Sequence, residues 1–459
     1  MSGCKHTISG HRADWGLDMR LRRRTGTDND GKVGGVARLL VLMGSGETAP
    51  TMRTTHRRVF AAVGDGRAVG LDTPYGFQGN ADDLSARTEA YFVETVGRTM
   101  ETVSFRRATD AVGEAVAVGA LRAAVLAYAG PGSPTYAAAQ WRSSALPSVL
   151  VERLLDDAGS FALVLSSAAA LTAGASVLPV YEIYKAGEDI HWDEGLGVLG
   201  RVLGAGFADA VVVPHWDNAE GGSHDTRFCY LGAPRLLPME ALLPAGAPII
   251  GIDEHTALVI DLDAGTATVE GKGGVTLRRA GDGTPAGAGA VLVSGATVAI
   301  DALVGTANQG AAAVRGDAAV LAPSTERRGS PLVDAARAEE AAFNVALDAA
   351  DGPSAVAAAL CLEDELEAWA KDTAQTDDRD RARVVLRSLI ARLGTAAATG
   401  LADPRTAIAP LVDVVLVLRS SARTDKRWAD ADLIRDALGA AGVEVRDTPD
   451  GVEWDLTAA

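Results

Sequence analysis

The chain has 459 residues, more than one hydrophobic core ordinarily serves, because cores stop growing near about 250 to 300 residues and longer chains divide. A formal net charge of −17 excludes a surface built for nonspecific hold on nucleic acid or anionic lipid, which needs basic charge, although a local basic face stays open. The three cysteines, Cys4, Cys229 and Cys361, stand far apart in no CxxC or Cys/His ligand spacing, so no disulfide framework, structural zinc or other cofactor is expected, and a reducing cytoplasm fits best.

Residues 1–37 are polar and carry Arg22, Arg23 and Arg24 with no apolar stretch behind them, which reads as a disordered leader rather than a secretory signal. A start codon set too far upstream would look the same. No run of about 18 apolar residues occurs, so no membrane-spanning helix is expected.

From residue 38 to 304, short runs rich in Val, Leu and Ile alternate with longer Ala-rich stretches of helical character. That is the pattern of an α/β domain with a parallel sheet and helices on both faces. Leu39–Leu42, Ala123–Ala127, Phe161–Leu165 and Ala210–Val213 are the expected strands. Each ends in Gly, Ser or Pro, where a doubly wound sheet places its ligand-binding loops. After Ala257 the pattern turns to short alternating strands broken by Gly, such as Thr266–Glu270, and antiparallel hairpins are expected to finish the domain. Residues 305–332 lack periodicity and read as a linker. Residues 333–459 read as a helical bundle with breaks near Asp351-Gly352-Pro353 and Thr399-Gly400, closed by two short strands around a Pro449-Asp450-Gly451 turn.

Three strand ends carry chemistry. A serine hydroxyl is a poor nucleophile at neutral pH and needs a base and an acid that orients the base. In Leu165-Ser166-Ser167-Ala168-Ala169-Ala170 a strand runs into a small-residue turn and then a helix, the topology of a nucleophile elbow, with Ser167 at its tip. A helix N-cap is the plainer reading of the same serine. In Val213-Pro214-His215 a histidine directly follows a strand and is the candidate general base, with His224 as its competitor. In Ile249-Ile250-Gly251-Ile252-Asp253-Glu254 a strand ends in two adjacent carboxylates that point in opposite directions, so one of them can face a site.

The string Gly251-Ile252-Asp253-Glu254-x-Thr256-Ala257-Leu258 resembles the acid-bearing motif of the cyanophycinase and aspartyl dipeptidase family, serine peptidases built on the class I glutamine amidotransferase (flavodoxin-like) fold. Gly44-Ser45-Gly46-Glu47, Gly130-Pro131-Gly132-Ser133-Pro134, Gly195-Leu196-Gly197-Val198-Leu199 and Pro214-His215 resemble further family segments in the same order. The resemblance covers about residues 38–304. It implies that Glu254 is the acid beside Ser167 and His215, and that the backbone N–H groups of Gly132 and Ala168 bind the oxyanion. Glu47, Ser133, Gln140, Trp141 and Lys185 are expected around the substrate. The family writes its elbow Gly-x-Ser-Ala-Gly, whereas Leu165 and Ala169 stand here at the glycine positions, so the turn must form without permissive residues. Glutamine amidotransfer needs a cysteine at the elbow and is not expected.

The stretch from Arg419 to Trp454, with Arg423, Lys426, Trp428, Ala431, Asp432, Ile434, Arg435, Leu438 and Gly442 in register, resembles the carboxy-terminal part of bacterial cysteinyl-tRNA synthetase. HIGH and KMSKS signatures are absent, so cysteine activation is not implied. The resemblance implies tRNA as a partner, held through Arg423, Lys426, Arg435 and Trp454, although the neighbouring aspartates dilute the positive charge.

Together these features imply a serine hydrolase acting on a small peptide, isopeptide or aminoacyl bond. The alternative is an inactive hydrolase-fold protein that binds tRNA or a protein partner through its tail. A homodimer is carried as a candidate assembly.

Overall fold

The computed structural model describes residues 36–221, 224–305, 330–373, 377–399, 404–448 and 451–457. Nearly all of the expected leader and linker, and two residues of the expected terminal turn, lie outside them. The chain forms two compact units: one takes in the sequence up to Ser330 together with Ala368–Asp377, the other Pro331–Glu367 and Asp378–Ala459. A short segment inside the helical stretch therefore belongs to the first unit.

In the first unit the strands are, in chain order, β1 (Arg38–Met43), β2 (Arg67–Leu71), β3 (Glu101–Val103), β4 (Ala124–Ala129), β5 (Phe161–Ser166), β6 (Ser176–Val177), β7 (Asp193–Glu194), β8 (Val211–Val213), β9 (Pro248–Ile252), β10 (Thr256–Asp261), β11 (Thr266–Gly271), β12 (Gly274–Arg279), β13 (Ala290–Val293) and β14 (Thr297–Ala299). The main sheet has the order β14-β11-β10-β1-β5-β4-β2-β3. Its β1, β5, β4, β2 and β3 run parallel, and β10, β11 and β14 extend it antiparallel. The late Gly-broken strands are thus the expected hairpins.

Both faces of the parallel part are covered, which is why its strands read as nearly unbroken apolar runs. On β1, Leu40 and Leu42 join one core with Leu121, Leu150 and Leu154 from two helices, Ala111–Ala123 and Leu146–Leu155. Leu39, Val41 and Met43 join another with Val59 and Phe60 from the helix Arg53–Val63. The alternation follows from the two-residue period of a strand.

A second sheet has the order β13-β12-β9-β8, with β8 and β9 parallel. The strands leading to His215 and Glu254 are therefore neighbours of each other, and neither pairs with β5. The motif histidine reaches the serine from another sheet.

The second unit consists of the helices Pro331–Asp348, Gly352–Ala368, Asp378–Thr399, Pro404–Thr424 and Trp428–Ala440, followed by β15 (Val443–Thr448) and β16 (Gly451–Leu456). The hairpin pairs Val443 with Leu456 and Val445 with Trp454. Val412, Leu416, Val443 and Trp454 form its small core. Beside them the buried Arg419 donates to both carboxylate oxygens of Asp447, each at 2.8 Å.

Candidate active site

Ser167 directly follows the fully buried β5 and precedes the helix Ala168–Thr172. Its backbone has φ 49° and ψ −118°, a left-handed conformation that costs a non-glycine residue about 1 to 3 kcal/mol. Surrounding contacts hold the turn in place: Ser167 N donates to Met43 O at 3.1 Å, and Ala169 N to Gly130 O at 3.3 Å. Leu165 is still part of β5, in register with Leu42 and Ala129, and its side chain lies in the core. The sharp turn therefore forms with no glycine at either flank, since the unusual dihedral falls on Ser167 itself.

The carboxyl ends of β8 and β9 deliver the other two side chains. Ser167 Oγ lies 2.8 Å from His215 Nε2, and His215 Nδ1 lies 2.9 Å from Glu254 Oε1. Asn218 Nδ2 donates to the same Glu254 oxygen at 2.9 Å, and Glu254 N donates to Asp217 Oδ1 at 2.7 Å. His215 itself has φ 51°, a second strained residue aimed at the same point. Asp253 turns the other way, accepting from Gly274 N at 2.8 Å. The choice between the two adjacent carboxylates is thus decided by geometry.

Burial alone would push the His215 imidazole down, but the hydrogen bond and charge of Glu254, with Glu220 and Glu47 behind them, outweigh it and hold its pKa above the ordinary value. Glu254 is held below the ordinary carboxylate value: burial opposes this, and the His215 and Asn218 contacts overcome it. Burial, followed by the charges of Asp253 and Glu254, raises Asp217 to about 7. The competing His224 stands apart, with Nε2 3.1 Å from Tyr184 Oη.

Ser167 and His215 open onto a cavity of about 320 Å³ that is also lined by Gly132, Ala168, Glu47 and Lys185. Gly132 has φ 141°, and a Cβ there would fall 2.0 Å from Pro74 O, so only glycine fits. Among the described residues neither Gly132 N nor Ala168 N donates to another backbone group. Two residues that line the cavity with the serine therefore have N–H groups without a main-chain acceptor.

The cavity does not include the other three residues expected there. Ser133 Oγ caps the helix Pro134–Arg142 by accepting from Tyr136 N at 3.2 Å. Gln140 Oε1 accepts from Ala108 N at 2.9 Å. Trp141 is fully buried in the core and donates to Thr73 Oγ1 at 2.9 Å. A cap, a loop clamp and a core aromatic look like ligand-binding residues when only the sequence near a glycine loop is read. The cavity wall is completed instead by Tyr75, Gln78, Tyr181, Tyr184, Glu220, Cys229, Tyr230 and Thr373. Cys229 and Tyr230 belong, with the preceding Phe228, to three successive left-handed residues, a geometry with no sequence signature. Burial pushes the Cys229 thiol up, which leaves it a poor nucleophile.

In the second unit three of the four residues expected to touch RNA are engaged or covered, and Lys426 is exposed. Arg423 donates to Asp447 Oδ2 at 2.8 Å, and Arg435 lies 3.2 Å from Asp436 and 3.6 Å from Asp432. Trp454 is only 9% exposed, with Arg405 over its ring, so it serves the hairpin core and cannot stack on a base. Lys426, with φ 60°, ends the turn between the last two helices. The aromatic on the surface is Trp428, 57% exposed, with the Arg423 guanidinium 5.9 Å from its ring centroid.

Residues 405–454 match the family described as the cysteinyl-tRNA ligase anticodon binding domain. The carboxy-terminal part of the chain resembles the tRNA-binding end of these ligases. The cysteine--tRNA ligase of Arthrobacter sp. (strain FB24) is 40% identical over 122 residues, 25% of this chain and 24% of that protein. That of Deinococcus radiodurans is 40% identical over 109 residues, 22% of each. The chain thus spans about a quarter of the length of the curated relatives it matches. Among solved structures, a peptidase from an acI-B1 Actinobacterium aligns over 58% of this chain and 98% of its own, at TM-score 0.44 and 18% identity. A putative peptidase E protein from Listeria monocytogenes EGD-e aligns over 53% and 99%, at TM-score 0.31 and 14% identity. Among the described residues no helix is long and apolar enough to cross a membrane.

Proposed function

We propose that residues 38–304 form a serine hydrolase that cleaves a small peptide, isopeptide or aminoacyl bond, and that residues 333–459 form a ligase-like appendage behind a linker. The observation that carries this reading is the hydrogen-bonded series Ser167 Oγ, His215 Nε2, His215 Nδ1 and Glu254 Oε1, at 2.8 and 2.9 Å, with Ser167 strained at the mouth of a cavity.

In this reading Ser167 Oγ attacks the scissile carbonyl carbon while His215 Nε2 takes the hydroxyl proton. Glu254 holds the imidazole with Nδ1–H donating and balances the imidazolium that forms. The Gly132 and Ala168 N–H groups stabilise the negative oxygen of the tetrahedral intermediate. As that intermediate collapses, the bond to the leaving amine or alcohol breaks and His215 returns the proton to it. Water then repeats the sequence on the acyl-enzyme, releasing the acid and restoring Ser167. A fluorophosphonate probe should label the full-length protein at Ser167, and Ser167→Ala should abolish labelling. A folded wild-type protein that stays unlabelled from pH about 5 to 9 overturns the reading.

The match over residues 405–454 favours a second reading, in which the chain binds tRNA. The free aromatic surface is at Trp428, and base stacking on such a ring is worth about 1 to 3 kcal/mol. A gel-shift titration of the full chain with tRNA should weaken about tenfold or more in Trp428→Ala. Absence of any shift at micromolar protein removes this reading and leaves the hydrolase untouched.

A further inference from the structure

A serine hydrolase keeps the acyl half of its substrate on the serine and hands a proton from the histidine to the other half, so the leaving group lies on the imidazole side of the site. On that side the cavity wall carries two tyrosine rings. Tyr230 tilts against His215 with 5.9 Å between ring centroids, and Tyr184 tilts against Tyr230 at 5.3 Å. Both rings line the cavity and both are half-buried, so they are packed in place yet keep surface for a ligand. Neither takes part in the Ser167, His215 and Glu254 series.

The backbone is strained where it presents Tyr230. Phe228, Cys229 and Tyr230 have φ 61°, 55° and 67°, a conformation that residues other than glycine rarely adopt once, here held three times running. Phe228 N donates to Trp216 O at 3.1 Å, Cys229 N to His215 O at 3.2 Å and Tyr230 N to Thr226 O at 2.9 Å. The turn is thus bonded to the peptide of the histidine itself, which fixes the Tyr230 ring relative to the imidazole. The hydroxyls pin the rings at their far ends: Tyr230 Oη donates to Glu220 Oε2 at 2.7 Å, and Tyr184 Oη lies 3.1 Å from His224 Nε2. Anchored rings offer a ligand their faces and edges, and these attract another flat ring beyond what buried area alone gives.

Resting on the hydrolase reading, we propose that Tyr184 and Tyr230 form a leaving-group subsite that takes a planar aromatic ring. When the tetrahedral intermediate collapses, the bond from the carbonyl carbon to the leaving nitrogen or oxygen breaks. The electron pair stays on that atom, and the proton held on His215 Nε2 goes to it. The departing amine or alcohol carries its ring a few bonds away, against Tyr230 and Tyr184. The substrate class is therefore an acyl group joined to an aromatic amine, to an aromatic amino acid or to a nucleoside hydroxyl, which share a flat ring. Tyr184 and Tyr230 set specificity and move no proton.

The test uses the full-length protein and measures how well neutral fragments protect Ser167 from a fluorophosphonate. Benzyl alcohol and cyclohexylmethanol match in carbon count and hydroxyl, but the saturated ring is the more apolar, so a merely apolar wall favours cyclohexylmethanol. Benzyl alcohol should instead give half-protection at a concentration about fivefold lower, as expected for one ring-on-ring contact. Tyr184→Leu and Tyr230→Leu, with folding checked by thermal melts, should erase that difference, whereas Tyr184→Phe and Tyr230→Phe should keep it, because the ring and not the hydroxyl binds. Adenosine then distinguishes the sources: protection at or below the benzyl alcohol concentration points to a nucleoside leaving group, and weaker protection to an aromatic amine or amino acid. Equal half-protection by the two alcohols, stronger protection by cyclohexylmethanol, or none by benzyl alcohol overturns the proposal and leaves the hydrolase intact. Leucine variants that keep the benzyl preference, or phenylalanine variants that lose it, overturn the assignment to these rings. A folded wild-type protein that the fluorophosphonate does not label fells the hydrolase reading and this proposal with it.

Discussion

Replacing Glu254 with alanine separates a working imidazole from a decorative one. Glu254 Oε1 accepts from both His215 and Asn218 at 2.9 Å. In the intact site its hydrogen bond and charge lift the His215 pKa above the ordinary value against burial, the largest single influence on the ring and one that lowers it. In Glu254→Ala the lifting contacts vanish and the burial stays, so the His215 pKa must fall. A hydrogen bond to a charged partner is worth about 1.5 to 3 kcal/mol, so its loss weighs visibly against the charged ring. The general base is active only when neutral. The acid limb of the labelling profile should therefore move to lower pH in the variant, even as the plateau drops on the order of 10⁴-fold because the tautomer is no longer held. The assay is the second-order rate constant for fluorophosphonate labelling of wild type and variant from pH about 4.5 to 9. A limb that stays in place or moves upward, or a plateau within tenfold of wild type, refutes the coupling of Glu254 to His215.

Three further outcomes are expected. Leu165→Gly restores the glycine that the resembling family places before its elbow, yet it removes a fully buried side chain from β5. It should cost about 2 to 5 kcal/mol in urea denaturation and give no faster labelling, because the Ser167 turn already stands. Gly132→Ala puts a Cβ 2.0 Å from Pro74 O and should slow labelling on the order of 100-fold or more by displacing an oxyanion donor; labelling at the wild-type rate removes Gly132 from the site. Arg419→Ala breaks a two-bond contact to Asp447, whose side chain is 43% exposed, so solvent takes up part of the loss. The helical unit should be destabilised by about 1 to 3 kcal/mol in thermal melts, with labelling of Ser167 unchanged.

The parts of the site that stand at strand ends were legible in the sequence, because a strand followed by Ser, His or Glu carries both its hydrophobic period and its break in a few residues. Ser167, His215 and Glu254 meet although their strands belong to two different sheets, a division that apolar runs alone do not announce. What stayed hidden depends on contacts between distant segments. Nothing in the composition around Thr373 distinguishes it from other helix-joining residues, and its partner Thr48 is 325 positions away. Aromatic residues misled for a related reason. Trp141 and Trp454 stand in the sequence where ligand surfaces are expected, yet both spend their area on cores, where a large ring is worth most. Trp428, present in the sequence only as one residue of the motif, faces solvent at 57% exposure.

The hydrogen bond between Thr48 and Thr373 also sets an order of events during synthesis. The two sheets that present Ser167, His215 and Glu254 are complete only once β10 to β14 have followed Glu254, and that part of the chain can then collapse on its own apolar faces. The part of the cavity wall at Thr373 has to wait until the helix Gly352–Ala368 has also been made. Closing so long a loop is slow, but its entropic penalty grows only logarithmically with length. The last stretch of the first unit to be made is therefore one that supplies a wall of its cavity.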